Sequence, residues 1–284
     1  MVTHRFIENA TLPQERERVR IHVAEEGPAD GQPVLFVHGF PEGWFTWRAE
    51  MRALAAAGFR AIALDLRGYG ESDKPRGKEH YAASRVADDV AAVARSLDRG
   101  AIPIVGHDWG GPIVYRVAMD HPEVVARLVV INGPHPLHFA RLLRTNAKQR
   151  RASWYIAAFQ IPLLPERMLA RRGVMKRVLG EGIDAARVAE FERAFPDAAS
   201  FTAPLDYYRA AARVRDRAPR QRVIEHETLV VWGMRDFALV PENLEGLEAY
   251  VPRVRIEKLP NVGHFVQEEA PAALDAILLR ELRS

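Results

Sequence analysis

The 284-residue sequence contains no cysteine. This absence excludes a disulfide framework, a thiol nucleophile and a thiolate-bound metal. No apolar run reaches the roughly 18 residues that a membrane-spanning helix needs. The first thirty residues mix charged with apolar side chains, which is unlike a secretory signal. We therefore expect a cytoplasmic protein with no membrane partner.

A large excess of charge of one sign is also missing. The 40 Lys and Arg residues stand against 37 Asp and Glu residues, which gives a formal net charge of +3. The densest basic stretch, at 141–151, is compatible with a nucleic-acid patch. Because acidic residues balance the charge elsewhere, we interpret this stretch as a solvated helix face and expect no nucleic-acid partner.

The sequence does contain a series of short apolar runs with helical patterns between them. Continuously apolar runs are typical of strands that are buried on both faces of a parallel sheet. The predicted strands are 19–26, 33–39, 60–68, 101–108, 127–133, 228–234 and 254–260. Helical patterns at 84–100 and 111–122 alternate with them. The alternation predicts an α/β fold with a mostly parallel sheet flanked by helices.

One long interval interrupts this alternation. About ninety residues separate the predicted strands at 127–133 and 228–234, far more than an ordinary crossover needs. Helical patterns fill the interval at 137–151, 153–160, 165–178, 184–195 and 204–216. We predict that residues 135–218 form a helical cap, or lid, over the carboxyl ends of the strands, where α/β proteins bind ligands. Residues 1–134 and 219–284 then form the core.

Asp108 lies in the segment IVGHDWGGPIV, between a predicted strand and a predicted helix. Glycines at 106, 110 and 111 allow a tight turn and close packing there. In the motif G-x-S-x-G, the central residue is the nucleophilic serine of an ester-cleaving enzyme. Here that position is a carboxylate. On this motif alone, an aspartate that caps the next helix is as good an interpretation as a nucleophile.

Two later residues favour the nucleophile. Asp236 follows the predicted strand at 228–234, and His264 lies in a loop after the strand at 254–260. The chain order of Asp108, Asp236 and His264 is the order of nucleophile, acid and histidine in hydrolases of this topology. Asn132 follows the intervening strand, so that position offers no competing acid. His38 and His107 lie beside these segments, and we interpret both as architectural hydrogen-bonding residues.

Five segments of the predicted core carry recognisable motifs: HGFPEGW (38–44), DLRGYGESDKP (65–75), GHDWGG (106–111), WGMRD (232–236) and NVGHF (261–265). Together they resemble the α/β-hydrolase superfamily and, more narrowly, its epoxide hydrolases. In the cap, SWYIAAFQIP (153–162) and LDYYRAA (205–211) resemble the segments that carry two catalytic tyrosines. The resemblance implies Tyr155 and Tyr208 for these roles, and it leaves the adjacent Tyr207 open as the second.

The implied reaction suits an aspartate. An epoxide presents a saturated carbon, and a carboxylate is already ionised at neutral pH. Attack by Asp108 would form an alkyl ester, and the tyrosines would supply a proton to the opening ring. His264, oriented by Asp236, would then activate water to hydrolyse the ester. The resemblance assigns no cofactor and no metal to this chemistry.

The resemblance also implies residues around the nucleophile. The backbone N–H groups of Phe40 and Trp109 would form the oxyanion hole, and the Phe40–Pro41 peptide bond would be cis. Phe40, Pro41, Trp109 and Trp154 would contact the substrate. Because ligand pockets are mostly apolar, we expect a hydrophobic or small neutral epoxide, with water as the second reactant.

Haloalkane dehalogenase is the alternative function, because it uses the same aspartate and the tryptophan after it. Its departing halide needs two N–H donors, of which Trp109 could be one and Trp154 the other. Phe40 has no side-chain donor at the position where related enzymes carry an asparagine. Phe40 and the cap tyrosines therefore favour the epoxide. A non-catalytic binding protein is disfavoured by the complete triad, and the sequence leaves formation of a homodimer open.

Overall fold

The computed structural model describes residues 1–9, 18–180 and 183–283. These residues form a sheet of eight strands, β1 (Thr3–Asn9), β2 (Val19–Glu26), β3 (Pro33–Val37), β4 (Arg60–Leu64), β5 (Ile102–His107), β6 (Val125–Ile131), β7 (Thr228–Gly233) and β8 (Val254–Leu259). The strand order is β1-β2-β4-β3-β5-β6-β7-β8. Strands β3 to β8 pair in parallel, and β2 is antiparallel to both β1 and β4. The predicted fold class is confirmed.

Alternate residues of the central strands face two apolar layers. In β3, Leu35 and Val37 belong to one hydrophobic cluster, whereas Val34 and Phe36 belong to a second cluster on the opposite face. This is the two-residue period of a strand buried on both sides. Strand β1 was not predicted from the sequence, because only two of its seven residues are buried.

Helices cover both faces of the sheet. Helices α2 (Ala83–Arg95) and α3 (Gly110–Asp120) pack with the first cluster. Helices α1 (Arg48–Ala56), α11 (Val266–Glu269) and α12 (Pro271–Arg283) pack with the second. The prediction that the helix at 84–100 continues to Gly100 was wrong, because α2 ends at Arg95. Among the described residues, no helix is long and apolar enough to cross a membrane.

The long interval between β6 and β7 is helical, as predicted. Its described residues form α4 (Pro136–Thr145), α5 (Ala147–Ala152), α6 (Trp154–Ala158), α7 (Leu164–Leu169), α8 (Val174–Leu179), α9 (Ala185–Ala194) and α10 (Thr202–Arg213). The predicted helix at 137–151 is two helices, because Asn146 has extended backbone and caps α5 through its side chain. The predicted helix at 165–178 is also divided, at Gly173, whose φ is +78°.

The cap is joined to the core by specific contacts. Tyr207 of α10 donates its hydroxyl to the Arg67 carbonyl at 2.8 Å. Arg187 of α9 donates to Glu268 at 2.7 Å and to the Phe45 carbonyl at 3.0 Å. Apolar residues of the cap also belong to the first hydrophobic cluster. The division into units at 135 and 218 stays a prediction.

Candidate active site

Asp108 occupies a sharp turn between β5 and α3. Its φ is +48°, a left-handed conformation that a residue other than glycine seldom adopts. The turn also requires glycine at Gly110, where a Cβ atom would lie 2.1 Å from the Val37 carbonyl oxygen. These constraints raise the Asp108 side chain above the carboxyl ends of the strands, which is the geometry of a nucleophile elbow.

Asp236 lies just beyond the end of β7 and is held by four hydrogen-bonding partners. Its Oδ1 accepts from the backbone N–H groups of Ala238, at 2.7 Å, and Leu239, at 2.9 Å. Its Oδ2 accepts from the Asn132 side chain at 2.6 Å and lies 2.7 Å from Nδ1 of His264. This set of donors orients the carboxylate towards the histidine ring.

His264 lies between two carboxylates. Its Nδ1 faces Asp236, and its Nε2 is 3.4 Å from Oδ2 of Asp108. Burial opposes the charged imidazolium, but the carboxylates of Asp236 and Asp108 outweigh it and raise the pKa of His264 well above its usual value. The predicted order of nucleophile, acid and histidine along the chain thus corresponds to three side chains in contact.

The loop after β3 contacts Asp108 as well. The backbone N–H of Phe40 donates to Oδ1 of Asp108 at 2.7 Å. A Cβ atom at Gly39 would lie 2.4 Å from the Cβ of Asp108, so only glycine fits there. The Phe40–Pro41 peptide bond is cis, as the sequence resemblance implied. This loop therefore places a backbone donor directly on a carboxylate oxygen.

A buried glutamate connects this loop to the histidine loop. Glu42 accepts from the backbone N–H of Gly39 at 2.6 Å and lies 2.9 Å from Nδ1 of His107. The Nε2 of His107 is 2.9 Å from the carbonyl oxygen of His264. Burial raises the pKa of Glu42, but His107 outweighs this effect and holds that pKa below its usual value. The interpretation of His107 as an architectural residue agrees with these contacts.

The cap tyrosines and Asp108 line one cavity of about 1010 Å³. Asp108 and His264 belong to loops of the core, whereas Tyr155 belongs to α6 and Tyr208 to α10. Burial, and then the charge of Asp108, raises the pKa of both phenols, which keeps them protonated as donors. Tyr207 is absent from the lining, and its hydroxyl is bonded to the Arg67 carbonyl.

Two of the four residues expected to contact the substrate line the cavity. Phe40 and Trp154 line the cavity, whereas Pro41 and Trp109 do not belong to its described lining. The Trp109 ring instead packs edge-on against Tyr208, with ring centroids 5.0 Å apart. The side chain of Trp109 is therefore a packing partner of Tyr208.

Comparison with known proteins adds to this geometry. A family model described as the alpha/beta hydrolase fold matches residues 32–271. Epoxide hydrolase 2 of Caenorhabditis elegans is 30% identical over 92% of this chain and 77% of its own length. The crystal structure of an epoxide hydrolase from Bacillus megaterium in complex with an inhibitor is 32% identical, with a TM-score of 0.84, and the match covers 94% of this chain and 98% of that chain. The chain belongs to the epoxide hydrolases of the α/β-hydrolase family.

A further relative within the α/β-hydrolases is the AB hydrolase superfamily protein YfhM of Bacillus subtilis. It is 30% identical over 94% of this chain and 95% of its own length.

Sequence reasoning missed two features of the site: the buried Glu42, and the hydrogen bond from Asn132 to Asp236. Glu42 stands within the segment HGFPEGW, but nothing in the sequence indicates that its side chain is buried. Within the described ranges, no group of three or more His, Cys, Asp or Glu residues is placed to hold a metal ion.

Proposed function

We propose that this epoxide hydrolase family member adds water to an epoxide and releases a vicinal diol, with Asp108 as the nucleophile. The observation that carries the proposal is that one cavity is lined by both a carboxylate and two phenols. A carboxylate lies on the core side, and two neutral phenols lie on the cap side. A nucleophile facing two proton donors is the arrangement that opening of a strained ether requires.

In the first step, a carboxylate oxygen of Asp108 forms a bond to one epoxide carbon, and the bond from that carbon to the ring oxygen breaks. The electron pair passes to the ring oxygen. Tyr155 and Tyr208 donate hydrogen bonds to this oxygen, and one phenol transfers its proton to it. Because the pKa of both phenols is raised, the phenolate is a strong base in the free site and the transfer needs the developing alkoxide.

In the second step, His264 removes a proton from a water molecule that attacks the carbonyl carbon of the ester. Negative charge develops on the carbonyl oxygen of the ester, where the backbone N–H groups of Phe40 and Trp109 stabilise it. Each donor of this kind contributes roughly 3–4 kcal/mol to lowering a barrier. Collapse expels the alkoxide of the diol, which takes the proton held by His264. The new carboxyl group of Asp108 then loses its proton, and this proton restores the phenol.

The cavity indicates the kind of substrate. Its lining is mostly apolar, and Phe40, Trp154, Ala158 and Phe159 are among its members. We propose a hydrophobic epoxide bound against Phe40 and Trp154, with Pro41 and Trp109 supporting the walls from outside. The cytoplasmic location and the homodimer stay predictions, for which cell fractionation and light scattering are the tests.

Product analysis tests the function. The purified protein is incubated with an aryl glycidyl ether and, separately, with a halogenated alkane of similar size. We expect diol from the epoxide and no halide release above the buffer rate. Halide release without diol formation would establish the dehalogenase alternative. Trp154, the remaining candidate for a side-chain halide donor, is 68% exposed, which weakens any hydrogen bond it offers.

A further inference from the structure

Exposed apolar side chains are concentrated at the mouth of the cavity. Ten large hydrophobic residues are exposed among the described residues, and five of them line the cavity. A sixth, Leu163, lies beside Ile161 and Leu164, which are two of these five. We call these six residues the cap-mouth patch: Trp154, Ile161, Leu163, Leu164, Met168 and Phe237. Single exposed apolar residues are ordinary, but a contiguous group beside a site marks an interaction surface.

The same part of the cap carries a strong positive charge. Residues 135–180 contain ten Lys and Arg residues and a single acidic residue, whereas the rest of the chain contains 30 basic and 36 acidic residues. The one acidic residue, Glu166, is buried and bonded to Arg209 at 2.7 Å. The near-zero overall charge of the protein therefore conceals a separation of charge between the cap and the remainder.

Three arginines stand directly at the cavity mouth. Arg151, Arg171 and Arg177 line it, and all three are exposed. Within the described residues their guanidinium groups have no ion-pair or hydrogen-bond partner. Arginines without carboxylate partners are free to bind phosphate groups from outside the protein, while their apolar stems lie along neighbouring apolar surface.

We propose that the cap-mouth patch docks on an anionic lipid surface. The six apolar side chains enter the boundary between headgroups and acyl chains, and the arginines pair with lipid phosphates, as in other interfacial segments that combine basic with apolar residues. The cavity mouth then opens towards the phase in which apolar molecules dissolve. The expectation of no membrane partner rested on the lack of a spanning segment, which surface docking does not need.

Two other occupants fit this surface less well. A nucleic acid offers phosphates, but it offers no apolar phase for Ile161, Leu163, Leu164 and Met168. A second copy of the chain could cover the apolar residues, but a symmetric contact would bring two strongly basic caps together. Only an anionic lipid surface matches both the charge and the apolar character.

Vesicle flotation with the purified full chain tests the proposal. We expect the protein to float with vesicles that contain phosphatidylglycerol and to stay in solution with vesicles of phosphatidylcholine alone. Binding to the anionic vesicles falls as salt is added, because the attraction to surface charge is screened. The readout is binding, so it is independent of whether the chain hydrolyses epoxides.

Two variants with matched controls locate the surface. Replacing Arg151, Arg171 and Arg177 together by Gln is expected to lower the vesicle partition coefficient about a hundredfold, since each basic residue near an anionic surface contributes roughly fivefold. The control replaces three exposed arginines elsewhere by Gln: Arg52, Arg99 and Arg222. A control variant that loses as much binding as the cap variant would show general charge attraction and overturn the assignment to the cap mouth.

The second variant removes apolar character. Leu163→Asn with Met168→Gln is expected to reduce vesicle binding at least about a hundredfold, because each apolar side chain that leaves the lipid lowers the partition coefficient roughly tenfold or more. Asn suits position 163, where φ is +63°. The control, Val223→Thr with Ile256→Thr, changes two exposed apolar residues away from the cavity. Melting curves establish that all variants fold.

Three results would overturn the proposal. The first is equal flotation, or none, with anionic and neutral vesicles. The second is tighter binding to DNA than to anionic vesicles at the same salt concentration. The third is a dimer in light scattering that Leu163→Asn with Met168→Gln dissociates, which would assign the patch to a second copy of the chain.

Discussion

The core side and the cap side of the cavity are built by different interactions. On the core side, Asp236 has four hydrogen-bonding partners, and Asp108 contacts both a backbone N–H group and His264. On the cap side, Tyr208 is surrounded by rings, with centroids 5.6 Å from Phe40 and 5.0 Å from Phe159. Hydrogen bonds tolerate little change of angle, whereas edge-on ring contacts tolerate a broad range.

This difference teaches how the work of the site is divided. In the proposed mechanism, the Asp108 carboxylate must approach a carbon atom along one line, and the hydrogen bonds of the core side restrict its position. The phenols must reach an oxygen whose position varies with the substrate, and ring packing leaves them room to adjust. We therefore expect core-side substitutions to abolish chemistry and cap-side substitutions to reduce it by smaller factors.

The largest effect is expected for Asp108→Asn. Asn is close in shape and accepts the left-handed backbone, so the protein should fold, but the amide is not a nucleophile. Loss of a covalent nucleophile lowers kcat by about 10⁴–10⁶-fold. Diol formation under substrate saturation measures the loss, and an unchanged melting temperature is the control. Residual activity within tenfold of the original would remove Asp108 from the nucleophile role.

His264→Gln is expected to separate the two steps. The ester should form on Asp108 but hydrolyse slowly, because the general base contributes about 10²–10⁴-fold to the second step. Intact-mass analysis after mixing with a good substrate should show the protein plus one substrate. Absence of this adduct while turnover is impaired would contradict the covalent route.

Tyr155→Phe and Tyr208→Phe are each expected to lower the rate of ester formation by about 10–100-fold, because one of two proton donors is lost. The double variant should lose more than either single variant. Tyr207→Phe is the matched control, since its hydroxyl is bonded to the Arg67 carbonyl and not directed to the cavity. If the control loses as much activity as Tyr208→Phe, the assignment between the adjacent tyrosines is wrong.

Ester formation is expected to change the basicity of His264. In the free protein, two carboxylates raise its pKa, but the ester removes the charge of Asp108. The pKa in the intermediate should therefore be lower, which makes the neutral base available at neutral pH. Stopped-flow measurement of ester hydrolysis against pH should give a lower apparent pKa than titration of His264 by NMR in the free protein.

The raised pKa of His264 also makes the free energy of unfolding depend on pH. Protonated His264 interacts with its carboxylates only in the folded state, so its contribution is complete below about pH 6.5, the unfolded value. The contribution is lost as pH rises through the raised folded pKa. Urea unfolding at several pH values should show this loss in the original protein, and His264→Gln should lack it.

The smallest effect is expected for the stability of Tyr207→Phe. Removing the hydroxyl leaves the Arg67 carbonyl without this donor in a buried position, which costs about 1–3 kcal/mol. The free energy of unfolding in urea measures it. A larger loss would mean that the ring itself has shifted against Tyr69 or Tyr81, whose rings lie 5.6 Å and 5.4 Å away.

The sequence predicts which residues come together at this site better than it predicts what each side chain contacts. Asp236 and His264 could be found because each follows a strand, and the ends of parallel strands meet at one edge of a sheet. Contacts that depend on which way a side chain turns could not be found. The hydrogen bonds of buried Glu42 and the contact of the Trp109 ring with Tyr208 are examples. Neither the burial nor the packing of a loop residue follows from the local sequence pattern.

Secondary structure shows the same limit. The seven predicted strands are all present, and continuous apolar runs identify the fully buried ones, such as β3 and β7. Strand β1 escaped prediction since it lies at the sheet edge, where fewer apolar residues are needed. Cap helices were joined in error across Asn146 and Gly173, because helical periodicity continues through a break when apolar residues resume in phase.

The adjacent tyrosines of α10, Tyr207 and Tyr208, show that helical register decides which phenol faces the cavity. Neighbouring residues on an α-helix point about 100° apart, so Tyr207 is directed to the Arg67 carbonyl and Tyr208 to the cavity. Inserting one residue into the first turn of α10 would rotate the later residues by that angle and turn Tyr207 into the direction that Tyr208 now has. Both positions hold the same amino acid, so a phenol would still face near the cavity after such a slip. The duplication thus keeps a phenol at the cavity after a one-residue insertion in this helix.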